Sequence, residues 1–358
     1  MLLQVLIFIG ALGVLVKSTD ILVKAVERIA QWYGVSQWVI GLTVVAIGTS
    51  IPELGTSIAA AVRGAPEIAV GTIIGSNITN IGLILGLASM IFIFPLKRGV
   101  YGRDIIILGC ITTLFLILAS DKIVSRGEGL VLVFLFVIYI YYRITKEPEH
   151  VQKKRNNLIK KLMKNEKKVH SMINCERLIQ NGLDYRTLIR LKKQGINKYR
   201  ACQQQVLGMI AKNGIIVIIG VLGIALGAKF MVSAAINIAK GVQVPSEMIS
   251  LSAIAIGTSL PELAVTFVSA RKKLGGLLVG NLVGSNIANI LLVGGIGALI
   301  TPLTMTRFDL WFGLPIALIM TLLFFRFTKM QWFSRVMEGM LLLCLYILFI
   351  IGIAIFFF

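Results

Sequence analysis

Charge is scarce in this chain. Asp, Glu, Lys and Arg together make up 15% of its 358 residues, against about 25% in an average soluble domain. Histidine occurs only at His150 and His170, and cysteine only at Cys110, Cys175, Cys202 and Cys344. None of these forms a CxxC pair or a metal-ligand spacing, so neither a zinc site nor a disulfide framework is expected. No nucleophile–base pairing or metal-hydrolase arrangement occurs, so the expectation is a protein that is not an enzyme and has no cofactor. The spaced acids of an EF-hand are missing as well. The apolar runs are continuous rather than alternating, which excludes a transmembrane barrel.

What is present is apolar length. Hydrophobic residues make up 57% of the chain and the mean hydropathy is +0.88. Runs near the ~20 residues that a helix needs to cross a bilayer recur along it. Ten spans are expected, at 2–30, 38–61, 68–94, 104–120, 127–143, 213–238, 247–270, 274–300, 308–327 and 335–356. The run Leu2–Val16 lacks a basic leader and a small-residue cleavage site, so it is read as the first membrane helix. The one long polar stretch, 143–212, holds 18 Lys/Arg against 5 Asp/Glu. Basic residues crowd both of its ends, and Lys97, Arg98, Arg103, Arg271, Lys272 and Lys273 fall on the same side if the topology alternates. This bias places the stretch in the cytoplasm and both termini outside. The expected organisation is a five-helix membrane unit over 1–143, a basic loop over 144–212 and a second five-helix unit over 213–358.

The chain repeats itself. Residues 48–82 align with 257–291 without a gap, "GTSIPEL" on "GTSLPEL" and "GSNITNI" on "GSNIANI". Five spans per half is an odd number, so the second copy enters the membrane upside down. Inverted repeats place a binding site near the midplane, where discontinuous helices of the two halves meet. The fold class expected is therefore all-α and polytopic, with two inverted repeats.

The repeated phrase is chemically expensive in lipid. Thr49 and Glu53 stand four residues apart and share a helix face, while Pro52 has no N–H to offer the carbonyl of Gly48. A kink there frees carbonyls such as that of Ala46, which is tolerated at membrane depth only inside protein or beside a wet cavity. Ser76 and Asn80 are again four apart, presented at a break around Gly75-Ser76-Asn77, and the second half supplies Ala255, Thr258, Ser259, Glu262, Ser285 and Asn289. Oxygen dominates this set, which suits hard cations such as Ca²⁺. Two Glu carry a charge near −2 that one Ca²⁺ balances; three Na⁺ would leave a positive site, so exchanging those loads would carry current. One intramembrane Glu could serve a structural hydrogen bond, but two at matched positions favour function. The glycines Gly71, Gly75, Gly280 and Gly284 read equally well as close-packing points.

With these residues on the page, "GTSIPEL…GSNITNIG" and "GTSLPEL…GSNIANI" resemble the paired motifs of the calcium/cation antiporter superfamily. Within it they are similar to the sodium/calcium exchanger branch and its prokaryotic relatives. The resemblance implies that Glu53 and Glu262 are central ligands shared by Ca²⁺ and Na⁺, joined around Ca²⁺ by Thr49 and Thr258. It implies flanking Na⁺ positions from Ser50, Ser76, Ser259, Ser285 and the carbonyls of Ala46 and Ala255, with Asn80 and Asn289 in the middle. It also implies alternating access, with spans one and six sliding over the other eight. Some prokaryotic exchangers carry Asp where this chain has Asn289, so a third carboxylate is absent here. The function expected is Ca²⁺/Na⁺ antiport. The alternatives are Ca²⁺ or another divalent ion exchanged for H⁺ on the same fold, and, from other classes, a cation channel or a membrane sensor.

The loop departs from many prokaryotic relatives, whose halves are joined by a short link. Leu158, Ile159, Leu162, Met163, Val169, Met172 and Ile173 lie near one helical face with Lys and Arg elsewhere. Such a segment can lie on anionic lipid or dock a protein, as well as being a solvated linker. Basic character in a cytoplasmic loop is topological, so no nucleic-acid partner is expected; the partners are the bilayer, Ca²⁺ and Na⁺.

Overall fold

The computed structural model describes residues 2–33, 35–92, 102–145, 188–189, 200–241, 257–329 and 336–357. The amphipathic reading of 158–173, residue Ala255 and the first part of the expected span 247–270 lie outside these residues. The described chain is almost wholly helical. Its elements are α1 (Leu2–Tyr33), α2 (Gln37–Thr49), α3 (Ile51–Val62), α4 (Pro66–Ile91), α5 (Gly102–Leu118), α6 (Arg126–Thr145), α7 (Arg200–Gly241), α8 (Leu260–Arg271), α9 (Gly275–Ile300), α10 (Asp309–Thr328) and α11 (Val336–Phe357). Among the described residues eight helices are long and apolar enough to cross a membrane, and α2 with α3 makes a ninth, bent by 43°. α8, with residues 257–259 ahead of it, is the described part of the span expected at 247–270.

The bend follows from the sequence. Ser50 has φ −83° and ψ 7° between α2 and α3, and Pro52 stands in the first turn of α3. The second half repeats this, with Ser259 at φ −86° and ψ 4° ahead of α8 and its Pro261. Proline fits the first helical turn because its missing N–H would be unpaired there anyway.

The expected break at Gly75-Ser76-Asn77 is not where the helix departs from α geometry. α4 is regular through Ile78 and then widens into a π segment at Thr79–Leu85. α9 does the same at Asn289–Val293, and α2 at Gly41–Val45. One added residue per turn re-aims side chains without exposing the backbone, and such segments recur at functional sites.

Glycine sets the closest helix crossings. A Cβ on Gly284 would meet Leu42 O at 2.5 Å, and one on Gly280 would meet Trp38 O at 2.7 Å, so α2 lies directly on α9. α1 and α7 pair along their length through Gly220, Gly223 and Gly227, which face Leu22, Ser18 and Leu15. Gly10 and Gly13 are exposed instead. α7 begins at Arg200, thirteen residues before the expected span, so the end of the basic stretch continues the membrane helix. Cys202 is disulfide-bonded, which its isolated spacing did not suggest, while Cys110 and Cys344 are free and exposed on helix exteriors.

Three polar features outside the repeated phrases hold the bundle. Asp104, fully buried at the start of α5, accepts from Trp38 Nε1 at 2.9 Å and Tyr139 OH at 3.3 Å, and pairs with Arg143 at 2.9 Å. It thereby ties α2, α5 and α6 together. Asp20, in the C-terminal half of α1, bridges Lys24 at 2.7 Å and Lys272 at 2.6 Å, the latter in the α8–α9 turn. Glu128 and Asp309 close capping boxes with Ser125 and Thr306. A two-residue antiparallel pairing, Ile123–Val124 with Leu303–Thr304, joins connections of opposite halves.

Candidate cation site

α3 and α8 each present one carboxylate to the centre, and α4 and α9 cross beside them. Glu53 and Glu262 are fully buried. Within each half a serine 23 residues on reaches the carboxylate: Ser76 Oγ lies 3.5 Å from Glu53 Oε1, and Ser285 Oγ lies 3.2 Å from Glu262 Oε1. Across the halves the same serines meet the threonines, Ser76 with Thr258 at 3.3 Å and Ser285 with Thr49 at 3.2 Å. Each serine thus joins the acid of its own repeat to the hydroxyl of the other.

The carbonyl of Ala46 sits in this cluster. It accepts from Ser50 N at 3.0 Å and lies 3.2 Å from Thr49 Oγ1 and 3.5 Å from Ser285 Oγ. Ser50 and Ser259, at the two bends, are buried and their hydroxyls have no hydrogen-bond partner. Of the twelve residues singled out from the sequence, eleven are described, and they gather in this one buried region; Ala255 is the exception.

Asn80 and Asn289 are held by Asn77, which the sequence reading placed only in a helix break, and by Asn286, which it left as part of the repeated motif. Asn77 Nδ2 donates to Asn286 O and Asn286 Nδ2 donates to Asn77 O, both at 3.3 Å. Asn80 Nδ2 donates to Asn286 Oδ1 at 2.9 Å, and Asn289 Nδ2 to Asn77 Oδ1 at 3.1 Å. This four-residue ring is its own image under the repeat, so it lies on the pseudo-two-fold axis. Because the amide nitrogens are engaged in the ring, the Oδ1 atoms of Asn80 and Asn289 are left as acceptors.

Those two oxygens are buried and have no donor, and neither do Glu53 Oε2 and Glu262 Oε2. An unsatisfied buried polar group costs about 1–3 kcal/mol, and here four stand at repeat-matched positions. Acceptors without donors are what a metal cation requires. Among the described residues no group of three or more His, Cys, Asp or Glu gathers anywhere. The site therefore rests on two carboxylates surrounded by hydroxyl, carboxamide and carbonyl oxygen, which is a hard-cation donor set.

An inverted helical repeat that buries paired acids where its broken helices meet is the architecture of a secondary cation transporter. The chain belongs to the sodium/calcium exchanger protein family, whose profile matches residues 3–145 and 212–354. It is 33% identical to the sodium/calcium exchanger MaX1 of Methanosarcina acetivorans, over 97% of both chains. It is also 33% identical to the inner membrane protein YrbG of Escherichia coli, over 84% of this chain and 81% of that one. Among solved structures it is similar to the sodium-calcium exchanger NCX_Mj soaked with zero Na⁺ and Ca²⁺, with a TM-score of 0.74 and 30% identity over 98% of this chain and 99% of that one. The family consists of exchangers, and the chain is a multi-pass membrane protein.

Proposed function

We propose that the chain exchanges Ca²⁺ for Na⁺, with both ions using the cage around Glu53 and Glu262 in turn. The observation that carries this is the set of four unpartnered oxygens, Glu53 Oε2, Glu262 Oε2, Asn80 Oδ1 and Asn289 Oδ1, contributed equally by the two halves. Two carboxylates compensate one Ca²⁺ that has shed its water, and its vacated ligands can be divided among smaller charges. Thr49 and Thr258 complete the Ca²⁺ shell. The carbonyls of Ala46 and Ala255 with Ser50, Ser76, Ser259 and Ser285 form flanking Na⁺ positions. Asn80 and Asn289 bring neutral oxygen to the middle, which keeps the site charge at that of two acids.

Exposure of the cage to alternate sides follows from movement of α1 and α7 as a pair over the remaining helices. The contact through Gly220, Gly223 and Gly227 presents glycine to Leu22, Ser18 and Leu15, so the two helices can travel together. The basic stretch between the profile-matched segments is placed on the cytoplasmic side, with both termini outside, as the distribution of Lys and Arg favours.

The test is Ca²⁺ flux into proteoliposomes driven by an imposed Na⁺ gradient or, in parallel, by a pH gradient. Flux that follows Na⁺ and ignores pH is expected. Flux driven by pH alone would assign the chain to H⁺ coupling, and flux with no counter-ion requirement would make it a channel.

A further inference from the structure

The repeat is broken at one position beside the cage. Asn281 in α9 has Thr72 in α4 as its counterpart. Thr72 turns its hydroxyl onto its own helix, donating to Ile68 O at 2.8 Å. Asn281 is fully buried and brings its Oδ1 within 3.2 Å of Thr49 Oγ1.

That contact adds Asn281 to an oxygen cluster. Thr49 Oγ1 is 3.2 Å from Ala46 O, from Asn281 Oδ1 and from Ser285 Oγ. Ser285 Oγ is 3.5 Å from Ala46 O and 3.2 Å from Glu262 Oε1. Five oxygens are joined by these approaches, and only the hydroxyls of Thr49 and Ser285 can donate. Most of the approaches therefore carry no hydrogen bond.

The other end of Asn281 is equally informative. Its Nδ2 is buried and finds no acceptor. Turning the amide over would offer Thr49 Oγ1 a donor; as it stands, the side chain adds one more acceptor to a cluster of acceptors. A positive charge among the oxygens makes that orientation favourable. The spacing agrees, because neighbouring ligands of an octahedral cation at ~2.3–2.6 Å stand ~3.3–3.7 Å apart.

We propose that Asn281 Oδ1 is a cation ligand at the flanking position formed by Ala46, Thr49, Ser285 and Glu262. Thr72 withholds the equivalent oxygen on the other side, so the two flanking positions bind Na⁺ unequally. This rests on the exchange reading above and deepens it: one flanking position fills first and empties last.

The experiment is equilibrium Ca²⁺ binding to the purified full chain in detergent, with and without Na⁺ as displacing ion. Asn281→Thr, which copies the other half, is expected to raise the Na⁺ concentration for half-displacement about tenfold, and to move Ca²⁺ half-saturation in Na⁺-free buffer by a much smaller factor. Asn281→Asp keeps the oxygen and is expected to hold or lower the Na⁺ requirement. Thr72→Asn is expected to lower it by supplying the missing oxygen. Parallel weakening of Na⁺ and Ca²⁺ in Asn281→Thr, or an unchanged Na⁺ requirement, overturns the assignment. If Asn281→Thr does not fold, an unchanged Na⁺ requirement in Thr72→Asn overturns it instead. Failure of Na⁺ to displace Ca²⁺ from the unaltered protein would sink the exchange reading itself, a result distinct from either variant outcome.

Discussion

At the scale of single residues, the cage depends on keeping donors away from the ion. Asn77 and Asn286 occupy the amide nitrogens of Asn289 and Asn80, and so turn both carboxamide oxygens into acceptors. Replacing Asn77 with Ala removes the acceptor for Asn289 Nδ2 and frees that amide to rotate. Ca²⁺ affinity in Asn77→Ala is expected to fall about tenfold, the scale on which residues that orient metal ligands act; titration of Ca²⁺ binding checks this. Affinity unchanged within error would mean that the ring serves packing alone. Asp104 makes a contrasting case, since it lies in a separate cluster with Trp38, Tyr139 and Arg143. Breaking a buried ion pair by removing one partner costs about 3–5 kcal/mol, so Asp104→Asn is expected to lower the melting temperature in detergent. Its Ca²⁺ affinity should stay that of the unaltered protein, and a large affinity change would link this cluster to the cage.

Elements divide into those that must stay fixed and those read as moving. α2 and α9 cross with glycine against backbone, where Gly284 faces Leu42 O and Gly280 faces Trp38 O. Added side chains there have no room to be absorbed, so Gly284→Leu is expected to abolish folding, seen as loss of a monodisperse peak on size-exclusion chromatography. α1 and α7 also touch through glycine, where a Cβ on Gly227 would meet Leu15 N at 2.9 Å, but much of the remaining surface of α1 is exposed. Gly227→Val is expected to slow Ca²⁺ turnover severalfold while equilibrium Ca²⁺ binding persists, measured by flux and binding on the same preparation. Loss of binding together with turnover would count against a sliding role for this pair.

For the whole molecule, the architecture was legible because the chain states its chemistry twice. Pro52 and Pro261 each precede a buried Glu, and an odd number of spans between the copies fixes their inversion. The described helices begin and end within a few residues of the hydropathy boundaries, apart from α7, whose start at Arg200 lies in the polar stretch, and α8, whose expected span starts outside the described residues. Hydropathy records where lipid begins; a helix can continue into water without leaving that trace. The pairing between halves was not legible. Asn77 read as part of a helix break and Asn286 only as part of the repeated motif, because their partners lie 209 residues away and are chosen by the crossing of α4 and α9. The π segments were hidden too, since a widened turn has no residue code of its own. Asp104 escaped notice as one acid at a span boundary, for its burial depends on Trp38, 66 residues earlier.

The central claim is that one cage, built from both halves, carries Ca²⁺ and Na⁺ in turn. Na⁺-gradient-driven Ca²⁺ uptake by proteoliposomes, compared among the unaltered chain, Glu53→Gln and Glu262→Gln, tests it most directly. Each substitution leaves the side chain's size nearly unchanged while removing one charge and placing an amide donor among the oxygens, so both variants are predicted to lose uptake to the level of protein-free vesicles. Uptake that survived in either variant would contradict a shared cage and leave that half of the molecule with a structural role.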